Sequence, residues 1–101
     1  MTAADKLTRL FKALSVPNRV DIIRLLQDRT LCVNALAAKL GVTPAAVSQH
    51  LRILRYVGLV VAEKRGYFVH YTLNATALRD LKRQIDGFVD PRKCRKRKGQ
   101  P

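Results

Sequence analysis

A mainly α fold with one small β-hairpin, in the order α-α-α-α-β-β-α, is predicted by three features of this sequence. Apolar residues recur at three- and four-residue spacing over most of the chain, the mark of helices with one buried face. The period changes only between Leu59 and Leu73, where two stretches rich in Val, Tyr, Phe and Thr flank the polar turn Glu63-Lys64-Arg65-Gly66, as in a hairpin. Gly41 is followed at once by Val42 and Thr43-Pro44. One helix ends and another begins there across a connection so short that the two must meet at a steep angle.

Each element can be justified in turn. Asp5–Leu14 carries Leu7, Leu10, Phe11 and Leu14 on one helical stripe. Pro17 suits the first turn of a second helix, with Val20, Ile23, Leu25 and Leu26 as its inner face and Arg19 and Arg24 pointing outward or laying their stems along the surface. Leu31–Leu40 reads as a short third helix with Leu36, Ala37 and Leu40 on one side, ended by Gly41. Thr43 caps a fourth helix running from Pro44 to about Val57, which buries Val47, Leu51 and Leu54 and stops at Gly58. Leu59–Ala62 and Tyr67–Leu73 are the two strands, with Phe68, His70 and Thr72 alternating onto one face and His70 expected at the surface or toward phosphate. Asn74 caps a last helix with Leu78, Leu81, Ile85, Phe88 and Val89, ended by Pro91. Residues 1–90 make one domain, and residues 91–101 make a basic tail expected to be disordered.

Charge names the class of partner. Twenty Lys and Arg stand against seven Asp and Glu, a formal charge of +13. Six of the cations lie in Arg92–Lys98; without them fourteen cations still face seven acids, so the folded part is basic in its own right and suits a polyanion. The N-terminal ten residues read as polar and helical rather than as an apolar signal core, and no apolar run reaches membrane-spanning length. Cys32 and Cys94 are far apart with no CxxC spacing. A cytoplasmic protein with free thiols, no membrane partner and no cofactor is the expectation. No acid-base pair, activated nucleophile or Gly-rich phosphate loop argues for an enzyme.

Helix three, the Gly41-Val42-Thr43 turn, helix four and the hairpin together read as a winged helix-turn-helix. With Val47, Leu51 and Leu54 inside, helix four presents Ala45, Gln49, Arg52 and Tyr56, flanked by Ser48 and Arg55. Gln can pair with adenine, Arg can read guanine or hold phosphate, and Ala45 or the methyl of Thr43 can meet a thymine methyl. Ser48 is short enough for a base or phosphate contact, and Lys64, Arg65 and Tyr67 on the wing suit phosphates. Double-stranded DNA is the expected partner. The competing reading is an architectural nucleic-acid binder with little sequence preference, driven by the tail.

The segments Leu14-Ser15-Val16-Pro17-Asn18-Arg19, Leu31-Cys32-Val33, Val47-Ser48-Gln49-His50-Leu51 and Gly58-Leu59-Val60, with the strand Tyr67–Leu73, resemble the ArsR/SmtB family of bacterial repressors over roughly residues 5–90. The resemblance implies a homodimer joined through the first and last helices, sitting on an imperfect palindrome and released by a metal, metalloid or thiol-directed signal. The residues point the same way, because Leu7, Leu10, Phe11, Leu78, Leu81, Ile85 and Phe88 exceed what a core this size covers.

Metal-sensing relatives carry two cysteines around one valine at the start of helix three. Here the order is Leu31-Cys32-Val33-Asn34, and the last helix, with Asp80, Asp86 and Asp90, has no His. Neither family metal site is complete, so no metal ligand is assigned. Two readings of the thiols stand. Cys32 and Cys94 act together as a disulfide, a polysulfide link or part of a metalloid site, or Cys32 is a small buried hydrophobe and Cys94 an incidental tail residue. The small inducer is not legible.

Overall fold

The structure, a computed structural model, describes residues 1–95. Helix α1 (Ala3–Ala13) opens with a reciprocal cap: the Thr2 hydroxyl accepts from the Asp5 N–H and the Asp5 carboxylate accepts from the Thr2 N–H, both at 3.1 Å. Helix α2 (Pro17–Leu25) starts on proline. Strand β1 (Leu31–Cys32), helix α3 (Val33–Leu40) and helix α4 (Pro44–Tyr56) follow. Strands β2 (Val60–Arg65) and β3 (Phe68–Leu73) form the wing, and helix α5 (Ala75–Phe88) closes the domain. Asn74 caps α5, its amide oxygen accepting from the Ala77 N–H at 3.2 Å.

Four details depart from the sequence reading. Leu31 and Cys32 do not begin α3. They form a third strand, paired antiparallel with β3 (Leu31 opposite Tyr71, Cys32 opposite His70), so the sheet order is β1-β3-β2. The open edge of β3 supplies backbone partners that an extra half-turn of helix would leave unused. The wing turn is also tighter than Glu63–Gly66: Arg65 pairs with Phe68, leaving only Gly66 and Tyr67 in the loop. Gly66, at φ +63°, takes the left-handed first position that such a two-residue turn requires. In α2, Ile22 is the buried residue, with Leu26 buried just past its end, while Val20, Ile23 and Leu25 are half-buried. Finally, Pro91–Lys93 form a 3-10 turn capped by the Asp90 carboxylate, where disorder was expected from residue 91. The rest of the tail reading, residues 96–101, lies outside the described residues.

The core sits where α2, α3, α4 and the start of β2 meet. Ile22, Leu36, Val47, Leu51, Leu54 and Leu59 are fully buried there, and no polar side chain is buried with them among the described residues. Full burial of side chains of this size contributes about 1.5–3 kcal/mol each, so the seam under α4 is where the stability of that helix originates. Leu81 of α5 joins this core, whereas Leu7, Leu10, Leu78 and Ile85 cover its rim and stay partly exposed. Among the described residues no helix is long and apolar enough to cross a membrane.

Candidate nucleic-acid interface

Helix α4 is aimed by its entry. Gly41 adopts φ +67°, ψ +33°, a left-handed backbone that costs glycine nothing and strains other residues. The Val42 N–H then donates back to the Ala37 carbonyl at 3.1 Å, which closes α3 and turns the chain. Two residues later the Thr43 hydroxyl accepts from the Ala46 N–H at 3.1 Å, and Pro44 takes the first helical position. Both ends of the connection are therefore fixed by local chemistry.

From that entry the helix period separates two faces. Val47, Leu51 and Leu54 point into the core, while Thr43, Ala45, Ser48, Gln49, Arg52, Arg55 and Tyr56 are exposed. Ser48, Arg52, Arg55 and Tyr56 line one open cleft with Tyr71 of β3, between helix and wing, with a volume of about 500 Å³. Tyr71 was not among the residues singled out from sequence; only the sheet register brings it to this cleft.

The electrostatics follow the chain order. No Asp or Glu occurs between Asp28 and Glu63. The ion pairs among the described residues lie elsewhere, at Asp28–Arg29, Glu63–Arg65, Asp80–Arg83, Lys82–Asp86 and Asp90–Arg92. Arg52, Arg55 and Lys64 keep unopposed charge, whereas Arg65 is held by Glu63 at 3.3 Å on the wing surface. The wing is thus less basic than its sequence suggested. It is more aromatic instead: Tyr67 is 101% exposed and Phe68 62% exposed at the tip. All three wing residues named from sequence, Lys64, Arg65 and Tyr67, lie on the surface.

A second connection braces α4 from the other side. The Arg19 Nε–H donates to His50 Nδ1 at 3.2 Å, and another guanidinium nitrogen donates to the Ala13 carbonyl at 3.3 Å. This ties the end of α1 and the start of α2 to α4. Partial burial, and then the charge of Arg19, hold the His50 pKa below its ordinary value. The imidazole is neutral with its proton on Nε2, because Nδ1 is the acceptor.

The candidate thiols lie in different settings. Cys32 is half-buried at the end of β1, and Cys94 is exposed just past the 3-10 turn, its Sγ 4.0 Å from the Asp90 carbonyl. Both are free. His70, expected at the surface, is half-buried with Nδ1 enclosed and unpartnered, because β1 lies alongside and sets Cys32 opposite it. Among the described residues no three His, Cys, Asp or Glu side chains gather as they would for a metal ion.

The sequence model described as "Bacterial regulatory protein, arsR family" matches residues 16–61, from the start of α2 into β2. The transcriptional repressor SdpR of Bacillus subtilis (strain 168) is 31% identical over 84 residues, covering 83% of this chain and 93% of SdpR. The chain belongs to the arsR family. This is a family of DNA-binding transcriptional regulators rather than enzymes, and its members share the mainly helical winged helix-turn-helix fold seen here. Reduced HlyU from Vibrio cholerae N16961 superposes with a TM-score of 0.71 at 32% identity, over 86% of this chain and 92% of that one. The HlyU of that strain is named a transcriptional activator. The DNA-binding domain of Mb0332 from Mycobacterium bovis, described as homodimeric, gives 0.71 at 27% identity over 88% of this arsR-family chain and 82% of its own. Other curated relatives are longer, and the chain spans about half to two thirds of their length.

Proposed function

We propose that this arsR-family chain is a homodimeric repressor that reads an imperfect inverted repeat in double-stranded DNA through α4 and occludes a promoter. One observation carries the reading: an acid-free, exposed face of Ala45, Ser48, Gln49, Arg52 and Arg55 stands on a helix whose opposite side is locked in the core. In the major groove Gln49 and Arg52 meet base edges, with Ala45 and the Thr43 methyl toward thymine methyls. Ser48 and Arg55, with Lys64, Arg65 and Tyr67 on the wing, meet the backbone. A two-fold partner docked on α1 and α5 sets two such helices about one turn of DNA apart. The support for that partner is the edge-to-face pair Phe11–Phe88, centroids 6.2 Å apart, whose rings remain 40% and 59% exposed in one chain.

The test is fluorescence anisotropy and footprinting on the chain's own promoter region against random duplex. The repressor reading expects a protected inverted repeat, a specificity ratio of at least roughly a thousand, and rising expression on deletion. Gln49→Ala and Arg52→Ala each cost about 1–3 kcal/mol of discrimination at one base pair. Truncation after Asp90 separates the readings, since an architectural binder loses its affinity with the tail whereas a repressor keeps its preference. The release signal acts on Cys32 and Cys94, a reading supported by both thiols being free, one half-buried at the end of β1 and one exposed just after Pro91–Lys93. Operator affinity of Cys32→Ser and Cys94→Ser, with and without an oxidised sulfur species or arsenite, decides it; unchanged, uninducible binding in every case removes the thiols from the mechanism.

A further inference from the structure

The cleft between α4 and the wing, lined by Ser48, Arg52, Arg55, Tyr56 and Tyr71, gathers hydrogen-bond donors that the chain does not use for itself. Ser48 and Arg55 lie two helical turns apart on one flank of α4, and Arg52 lies between them and the centre of the exposed face. Tyr71 closes the cleft from β3. Because β3 is the central strand, this residue is held from both sides, with Leu31 opposite it on β1 and Ala62 opposite it on β2. Its ring is half-buried against the core, so the hydroxyl is presented on a fixed support.

The donors are uncommitted. Thr8 and Ser15 donate their hydroxyls to carbonyls four and three residues back. Among the described residues the hydroxyls of Ser48 and Tyr71 have no such partner, and Arg52 and Arg55 form no ion pair. No carboxylate faces them from the wing either. The one acid there, Glu63, stands opposite His70 and so points to the other side of the sheet from Tyr71, where Arg65 holds it. Guanidinium groups and hydroxyls without an opposing acid suit an oxyanion. The position narrows which one. Ser48 and Arg52 flank Gln49 on the exposed side of α4, and Tyr71 lies four residues, about 13 Å, back along the strand from Tyr67 at the wing tip. With α4 in the major groove, a DNA strand leaving that groove crosses this gap before it reaches the tip.

We propose that the cleft is a socket for one backbone phosphodiester of bound DNA. The hydroxyls of Tyr71 and Ser48 donate to the phosphate oxygens, and the Arg55 guanidinium neutralises the charge. Arg52, nearer the centre of the face, stays on the base edges. The socket rests on the DNA-binding function proposed above and adds to it Tyr71, a contact on the rigid sheet that fixes how deeply α4 sits. Its ligand is a phosphate, so the contact carries no sequence preference.

The test uses the full chain. Tyr71→Phe keeps the ring and removes the hydroxyl. Measured by fluorescence anisotropy, it weakens the promoter duplex and a random duplex by the same factor, roughly tenfold, with the melting temperature in place. The slope of log affinity against log salt is unchanged, because no charge is lost, whereas Arg55→Gln lowers that slope by about one. Single methylphosphonate substitutions then remove the charge of one phosphate at a time. At the socket's phosphate the native chain loses affinity and Tyr71→Phe loses little more. The socket is overturned, and the proposed function left standing, if Tyr71→Phe binds both duplexes as tightly as the native chain or weakens the promoter duplex alone. Losses that add fully to those of every methylphosphonate overturn it as well. Free phosphate is the other source of the same chemistry. Amide shifts of Ser48 and Tyr71 that saturate with inorganic phosphate below about 1 mM, without DNA and at constant ionic strength, overturn the assignment to the backbone. A native chain that binds neither duplex overturns function and socket together. One that binds both alike, and still loses tenfold with Tyr71→Phe, overturns the sequence-specific reading and supports the socket.

Discussion

Helices α3 and α4 and the flanking pair α1 and α5 face the same requirement, an apolar stripe that must leave water, and meet it to different degrees. In α4 the whole stripe, Val47, Leu51 and Leu54, is fully buried by neighbours from the same chain. In α1 only Ala13 is buried and in α5 only Leu81, while the Phe11 and Phe88 rings touch edge to face and still show much of their surface. Helix α4 is thus oriented by the chain alone. The flanking helices are unfinished as a single chain. Under the proposed function, orientation of α4 and pairing of two chains fall to separate parts of the sequence, so each can be damaged without the other.

The largest effect expected is at the buried stripe. Leu51→Ala removes packing at the centre of the core and costs about 2–5 kcal/mol, read by urea denaturation at fixed protein concentration. Phe88→Ala, on the unfinished side, changes the stability of the isolated chain by less than about 1 kcal/mol but raises the dimer dissociation constant by roughly tenfold, read by sedimentation velocity over a dilution series. A Phe88→Ala chain that unfolds as readily as Leu51→Ala would erase the distinction between the two regions. One that dimerises unchanged would move the partner surface away from Phe88.

What the sequence made legible follows the same division. Gly41, Thr43-Pro44 and Asn74 act through their nearest neighbours, and the caps they announce are those in the structure. The period of Val47, Leu51 and Leu54 is likewise local, and it placed the exposed face of α4. Strand β1 was not legible, because two residues have no period and only the edge of β3, nearly forty residues on, makes Leu31 and Cys32 extended. In α2 the run Val20 to Leu26 is apolar on nearly every side, so Ile22 could not be singled out as the buried residue. Tyr71 reaches the cleft and Arg19 reaches His50 only through tertiary packing. One missed signal was available: Glu63 and Arg65 are two apart in a strand, hence on one face, and their pairing was readable without a structure.

The smallest effect tests the stitch between the two regions, the Arg19 guanidinium that bonds the Ala13 carbonyl at the end of α1 and His50 in α4. Protonated His50 cannot accept that bond, and its burial and the charge of Arg19 depress its pKa in the folded chain. Above the ordinary imidazole value of about 6.5 both folded and unfolded chains carry a neutral His50, and the stabilisation is complete. As the pH falls below that value the unfolded chain takes up a proton that the folded chain refuses, so stability declines until the lower folded pKa is passed. Melting curves between pH 7.5 and 5.5 (a range chosen on the order of one unit either side of the ordinary value) should fall more steeply for the native chain than for His50→Gln, which keeps an acceptor and cannot titrate. Parallel curves would mean that the Arg19–His50 bond contributes nothing to holding α1 against α4, and that α1 depends on its apolar stripe alone.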